Sequence, residues 1–133
     1  ALCASQWHKS LTYKDKYFGS GMEYAADFKK KFDYDPPYQS AESSAALLVF
    51  KDAFERANSF DTKKVRDALA ATEMQTFYGN IKFAPGGQNI SKPMVLFQVI
   101  CNDDGSKCEN KVVAPLKWAS AELVHPIPKW SDR

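Results

Sequence analysis

Thr76-Phe77-Tyr78-Gly79-Asn80-Ile81-Lys82-Phe83-Ala84-Pro85-Gly86-Gly87-Gln88-Asn89-Ile90 divides this chain in two. Before it the sequence reads as helices, and after it as strands. Pro85-Gly86-Gly87 is a turn signal, since Pro presets a negative φ and Gly supplies positive φ at no steric cost. Ile81 and Phe83 stand on one side of the turn. The apolar run Met94 to Ile100 stands on the other. The spacing predicts a hairpin with a loop longer than the two-residue minimum.

Working outward toward the N-terminus, three helices are predicted. Ser20-Gly21-Met22-Glu23 is a capping box: the Ser hydroxyl accepts from the Glu23 N–H, and the carboxylate reaches back. Ala25, Phe28 and Phe32 give that helix an apolar face. Asp35-Pro36-Pro37 ends it near Asp33, with Lys29, Lys30 and Lys31 as a solvated C-terminal end. The second helix runs from Gln39 or Ser40 to Ala57, with small residues on its apolar face. Ser43 and Ser44 lie on it without a paired His or a strand-turn-helix elbow, which leaves them without a nucleophile's surroundings. Asp61 caps a third helix that ends near Ala71.

Residues 1 to 18 hold a short strand at Ala1-Leu2-Cys3-Ala4, which reads as the end of a buried strand. A loop with Trp7, His8, Tyr13, Tyr17 and Phe18 follows. A loop so aromatic either packs onto a core or lines a pocket. The start lacks the series of a secretory signal, so a mature segment or a fragment is expected.

Toward the C-terminus, Met94 to Ile100 is apolar on both alternating faces except for Gln98, as in a strand covered on both sides. Asn102 to Lys107 is a turn, and Val112-Val113-Ala114 returns. Cys101 and Cys108 bracket that turn and can face each other as a disulfide, which fits an oxidising compartment. From Pro115 the chain is a tail. It either packs Trp118 and Trp130 onto its own protein or serves as a docking peptide through its proline-rich end.

Composition bounds the function. The 133 residues are 44% hydrophobic and 26% charged, ordinary for a globular chain. A net charge of +2 gives no argument for nucleic acid as a partner. No apolar run reaches the about 18 residues of a membrane span. The two His and three Cys do not match a zinc pattern, and neither a P-loop nor a dinucleotide fingerprint occurs. No catalytic constellation, metal site or cofactor is expected.

A longer pattern carries a resemblance. It runs through Gln6-Trp7, Gly19 before a capped helix, Pro37-Tyr38 before an Ala/Ser-rich helix, and Ala53 to Asp61. It goes on through Val65-Arg66-Asp67-Ala68-Leu69, Thr76 to Phe83, Gly86-Gly87-Gln88-Asn89, Gln98 and Val112 to Pro115, and ends on Pro126 to Arg133. In order and spacing this resembles the C-terminal part of type I periplasmic solute-binding proteins of ABC transporters, in the branched-chain amino acid and amide subgroup. The resemblance implies an α/β fold of two lobes, helices first and β-hairpins second, of which this chain holds a part. It implies residues 1–75 as the closing part of the first lobe and Thr76, Phe77, Tyr78 and Gly79 as a crossing and hinge. It implies 80–115 as the last strands of the second lobe and 116–133 as a tail near the hinge. Trp7, His8, Tyr13 and Tyr17, following a crossing, are expected to border the cleft. The function implied is non-enzymatic capture of an amino acid, amide or similar small solute outside the cytoplasm, with an ABC permease as partner. A sensor domain of a signalling receptor with the same fold, or an interaction module using the tail, are the alternatives. Strand edges and apolar faces left without partners imply self-association.

Overall fold

The computed structural model describes residues 1–127 and Lys129. Helix α1 (Gly21–Phe32) begins at the capping box, where Glu23 accepts from the Ser20 backbone at 2.7 Å and Ser20 Oγ accepts from the Glu23 N–H. It stops at Asp33, which is left-handed. Helix α2 (Tyr38–Ala57) buries Ala41, Ala45, Leu48, Val49 and Ala53. Small residues at the first two positions bring its backbone close to the core. The Tyr24 hydroxyl on α1 lies 3.0 Å from Ser44 Oγ, tying the two helices together. Asp61 caps α3 (Thr62–Ala70) by accepting from the Lys64 N–H. Arg56 closes the far end of α3, donating to the Ala68 carbonyl and to Thr72 Oγ1. Three helices, each close to its expected bounds, thus occupy the first half.

The strands are β1 (Leu2–Ser5), β2 (Lys14–Asp15), β3 (Gly19–Ser20), β4 (Glu73–Thr76), β5 (Gly79–Lys82), β6 (Val95–Cys101) and β7 (Cys108–Ala114). An antiparallel sheet has the order β1-β6-β7, while β2-β3 and β4-β5 are separate two-stranded ribbons. Cys101 and Cys108 are paired in register across β6 and β7 and are joined by a disulfide.

Thr76 to Gly79, expected as a crossing, form the tip of the β4–β5 hairpin in this chain. Thr76 pairs with Gly79 and its hydroxyl donates to the Gly79 carbonyl, so the chain reverses in place. The segments on either side of that tip pack together. β1 pairs with β6, and Trp7, Phe77 and Val112 share one buried cluster. The Pro85-Gly86-Gly87 turn exists, with the Gly87 N–H donating to the Ala84 carbonyl. However, it is closed by a single bridge from Phe83 to Asn89 and does not join β5 to β6. Burial of β1 and β6 is also less than expected. Leu2, Cys3 and Ala4 are exposed because β1 is an edge strand, and Val99 of β6 is 43% exposed.

The core gathers around Phe77, which is fully buried. Tyr24 stacks on it at 4.2 Å, while Trp7 and Phe18 meet it edge-on at 6.1 and 5.2 Å. Offset and edge-to-face packing of this kind favours the ring quadrupoles. Gln98, the polar residue in the apolar run, is buried because its amide exchanges two hydrogen bonds with the Val124 backbone. It thereby holds the tail against the sheet. Trp118 is buried beside Tyr13. Trp130 and the proline-rich end beyond Ile127 lie outside the described residues, Lys129 excepted.

Candidate functional site

Two of the four aromatic-loop residues meet at one cavity. It measures about 830 Å³ and is walled by Trp7 and His8 from the segment after β1. Asp35, between α1 and α2, and Tyr38, the first residue of α2, form the opposite wall, and Phe97 of β6 with Glu109 of β7 closes the side. The site therefore draws on stretches far apart in sequence. What brings them together is the β1–β6–β7 sheet on one side and the Pro36-Pro37 turn on the other.

Trp7 forms the floor. It is 4% exposed, with its ring edge-on to Tyr24 and Phe77. Its indole Nε1 is buried and has no hydrogen-bond partner. His8 is half-buried. Its Nδ1 accepts from the Ser10 backbone N–H at 3.2 Å and lies 2.8 Å from Ser10 Oγ. Those partners assign the neutral ring's proton to Nε2. Burial holds the His8 pKa below its ordinary value, and the positive charges of Lys9 and Lys111 add to this against the opposing effect of the Asn110 backbone.

Charge surrounds this aromatic wall. Lys9 pairs with Asp35 at 3.2 Å. Glu109 sits between Lys107 at 2.7 Å and Lys111 at 2.6 Å. Their hydrogen bonds and charges pull its carboxyl down to about 2. The wall thus offers an aromatic surface, a neutral imidazole and ionised groups of both signs. That combination can hold a small solute with apolar and polar ends.

Tyr13 and Tyr17 do not line the cavity. Tyr13 packs on Trp118 at 5.4 Å, and burial raises its pKa. Tyr17 is exposed, with the ammonium groups of Lys16 and Lys51 at 5.0 and 5.2 Å from its ring. Sequence reading overlooked Asp35, Tyr38 and Glu109. The available signal was Asp35-Pro36-Pro37-Tyr38, read as a helix stop, which also carries a charge and an aromatic ring at a fixed bend.

A second cavity of about 650 Å³ lies between α2, α3 and the Pro85 turn. Its walls are mainly hydrocarbon, from Ala45, Val49, Leu69 and Ile81, with Tyr78 and Glu42 at its margin. Burial, chiefly, raises the Tyr78 pKa.

Residues 3–106 match the family of periplasmic binding proteins. The chain belongs to that family, within its type I branch that includes branched-chain amino acid binders. Among solved structures it is similar to a leucine-binding protein, LivK, from Thermotoga maritima, with 25% sequence identity and a TM-score of 0.62. The match covers 81% of this chain and 29% of that one, so the chain spans under a third of that relative's length. Membership points to an extracytoplasmic location, where a disulfide such as Cys101–Cys108 persists. Among the described residues, no helix is long and apolar enough to cross a membrane.

Proposed function

We propose that this chain forms part of the solute site of an extracytoplasmic binding protein that serves an ABC importer. The solute is an amino acid, an amide or a similar small polar molecule. The observation that carries this reading is the cavity where Trp7 and His8 meet Asp35, Tyr38 and Glu109. An aromatic wall suits an aliphatic side chain, and ionised groups of both signs suit a zwitterion or an amide dipole. The leucine bound by the Thermotoga maritima relative falls in this class. Delivery to a permease would follow cleft closure around the solute, since closure lets a partner distinguish loaded from empty protein.

The test is titration calorimetry on the intact gene product with L-amino acids and short-chain amides. The expected outcome is micromolar or tighter binding of at least one, weakened about tenfold, or about 1.4 kcal/mol, by His8→Ala. No binding across the series, or an unchanged affinity in His8→Ala, overturns the reading.

A further inference from the structure

Lys92 lies in the segment ahead of β6, outside the cavity just described. Its side chain joins three parts of the chain. The ammonium sits 4.3 Å from the centre of the Tyr78 ring, a cation–π arrangement. It also donates to the backbone carbonyl of Gln6, the residue directly before Trp7 and His8. The aliphatic stem crosses Gly79 so closely that a Cβ there would collide with Lys92 Cδ. Gly79 has a φ of +151°, which L side chains rarely adopt. The β4–β5 hairpin tip is therefore shaped to receive this lysine.

Holding a lysine in such a place is unfavourable unless its contacts offset the loss of water. Burial lowers the Lys92 pKa to about 8, with the Glu42 carboxylate acting in the opposite direction. Tyr78 is the other titratable group against it, and burial keeps that phenol protonated. Most lysines on this chain reach solvent, whereas Lys92 turns inward. Between its two contacts it fixes the backbone that presents the cavity's floor.

We propose that Lys92 is a positioning residue for the solute site: it straps the Gln6–His8 segment to the Tyr78–Gly79 hairpin tip. The inference rests on the cavity at Trp7 and His8 being the solute site. It assigns Lys92 no contact with solute. The ammonium takes the place of a missing secondary-structure partner for the Gln6 carbonyl, at the point where β1 has ended and the wall begins.

The experiment compares Lys92→Met, Lys92→Arg and His8→Ala in the intact gene product. Amide hydrogen exchange is read at Gln6, Trp7 and His8, and calorimetry uses the amino acid or amide that the wild-type protein binds. Lys92→Met keeps the stem over Gly79 and removes the donor. Its expected outcome is about tenfold faster exchange at Trp7 and His8, with β6–β7 amides unchanged. Affinity is expected to weaken several-fold, with Lys92→Arg recovering part of both losses. Unchanged exchange at Trp7 and His8 in Lys92→Met overturns the strap. If His8→Ala weakens binding while Lys92→Met loosens the segment without affecting affinity, the positioning role fails and the site reading stands. If His8→Ala leaves binding unchanged, the site reading fails, and the exchange data alone then judge the strap. Should Lys92→Met unfold, Gly79→Ala reads the same contact: displacing the lysine stem must loosen Gln6–His8, and an unaltered segment overturns the strap.

Discussion

His8 is held neutral at pH 7 by where it sits. Burial and the neighbouring Lys9 both disfavour the imidazolium, so its folded pKa lies below 6.5. The unfolded chain takes up this proton first as pH falls. His8 therefore favours folding fully above pH 6.5, and that contribution is lost as pH falls through the folded value. Urea midpoints at pH 7.5, 6.5 and 5.5 check this against His8→Gln, which does not titrate there. The wild-type midpoint is expected to drop more than that of His8→Gln between pH 6.5 and 5.5. Parallel curves would remove His8 from the account.

Between elements, Asp15 is the strongest polar link. Its Oδ1 accepts from the Tyr17 and Phe18 N–H groups at 2.8 and 2.9 Å, shaping the β2–β3 turn. Its Oδ2 accepts from the Phe77 N–H at 2.7 Å, anchoring the tip of the β4–β5 hairpin. Gln75 adds a hydrogen bond from its side chain to the Lys14 carbonyl. Asp15→Ala leaves the Phe77 N–H without its partner beside a fully buried ring. The expected loss is about 1–3 kcal/mol by urea denaturation, with Asp15→Asn losing less because it keeps one acceptor oxygen. A loss below about 0.5 kcal/mol would mean that water replaces the carboxylate.

This linkage also explains what could be read from the sequence. Helices announce themselves locally: Ser20, Asp61 and the Asp35-Pro36-Pro37 stop act within a few residues of themselves. The Cys101–Cys108 hairpin is local in the same sense. Strand partnership is not, because the paired residues of β1 and β6 are ninety or more apart in the chain, and nothing at Leu2 names Gln98 as its neighbour. A hairpin tip and a crossing share Gly and aromatic residues, so the Thr76–Gly79 reversal has no local signature, and its Asp15 partner lies far away in the chain. The site was half legible for the same reason. Trp7 and His8 stand out as aromatics in a loop, while Asp35 and Glu109 become part of the site only once the sheet and the proline bend are in place.

At the scale of the whole molecule, the described surface exposes more hydrocarbon than its cavities use. Leu47 on α2 is 70% exposed, Phe60 before α3 is 88% exposed, and Phe50 and Phe54 continue that side of the helix with stacked rings. Phe54 and Phe60 also meet at 5.4 Å, so these rings form one continuous strip. The sheet adds the edge strand β1, while the outer side of β7 is covered in part, Val112 bonding to Ser120 and Ala121. Apolar strips and open edges lower the free energy of the chain when they find a partner. The 133-residue chain on its own is therefore expected to self-associate at micromolar concentration, with light scattering giving a mass above the 15.0 kDa of one copy. Replacing Phe50 and Phe60 by Ser is expected to shift that equilibrium toward single copies without unfolding the chain. Neither ring belongs to the buried cluster around Phe77, so the core loses nothing. If the unaltered chain scatters as one copy at all concentrations, strip and edge are too weakly apolar to associate. If the double variant associates as strongly as the parent, the contact runs through the strand edge, and charges placed on β1 at Cys3 then become the discriminating change.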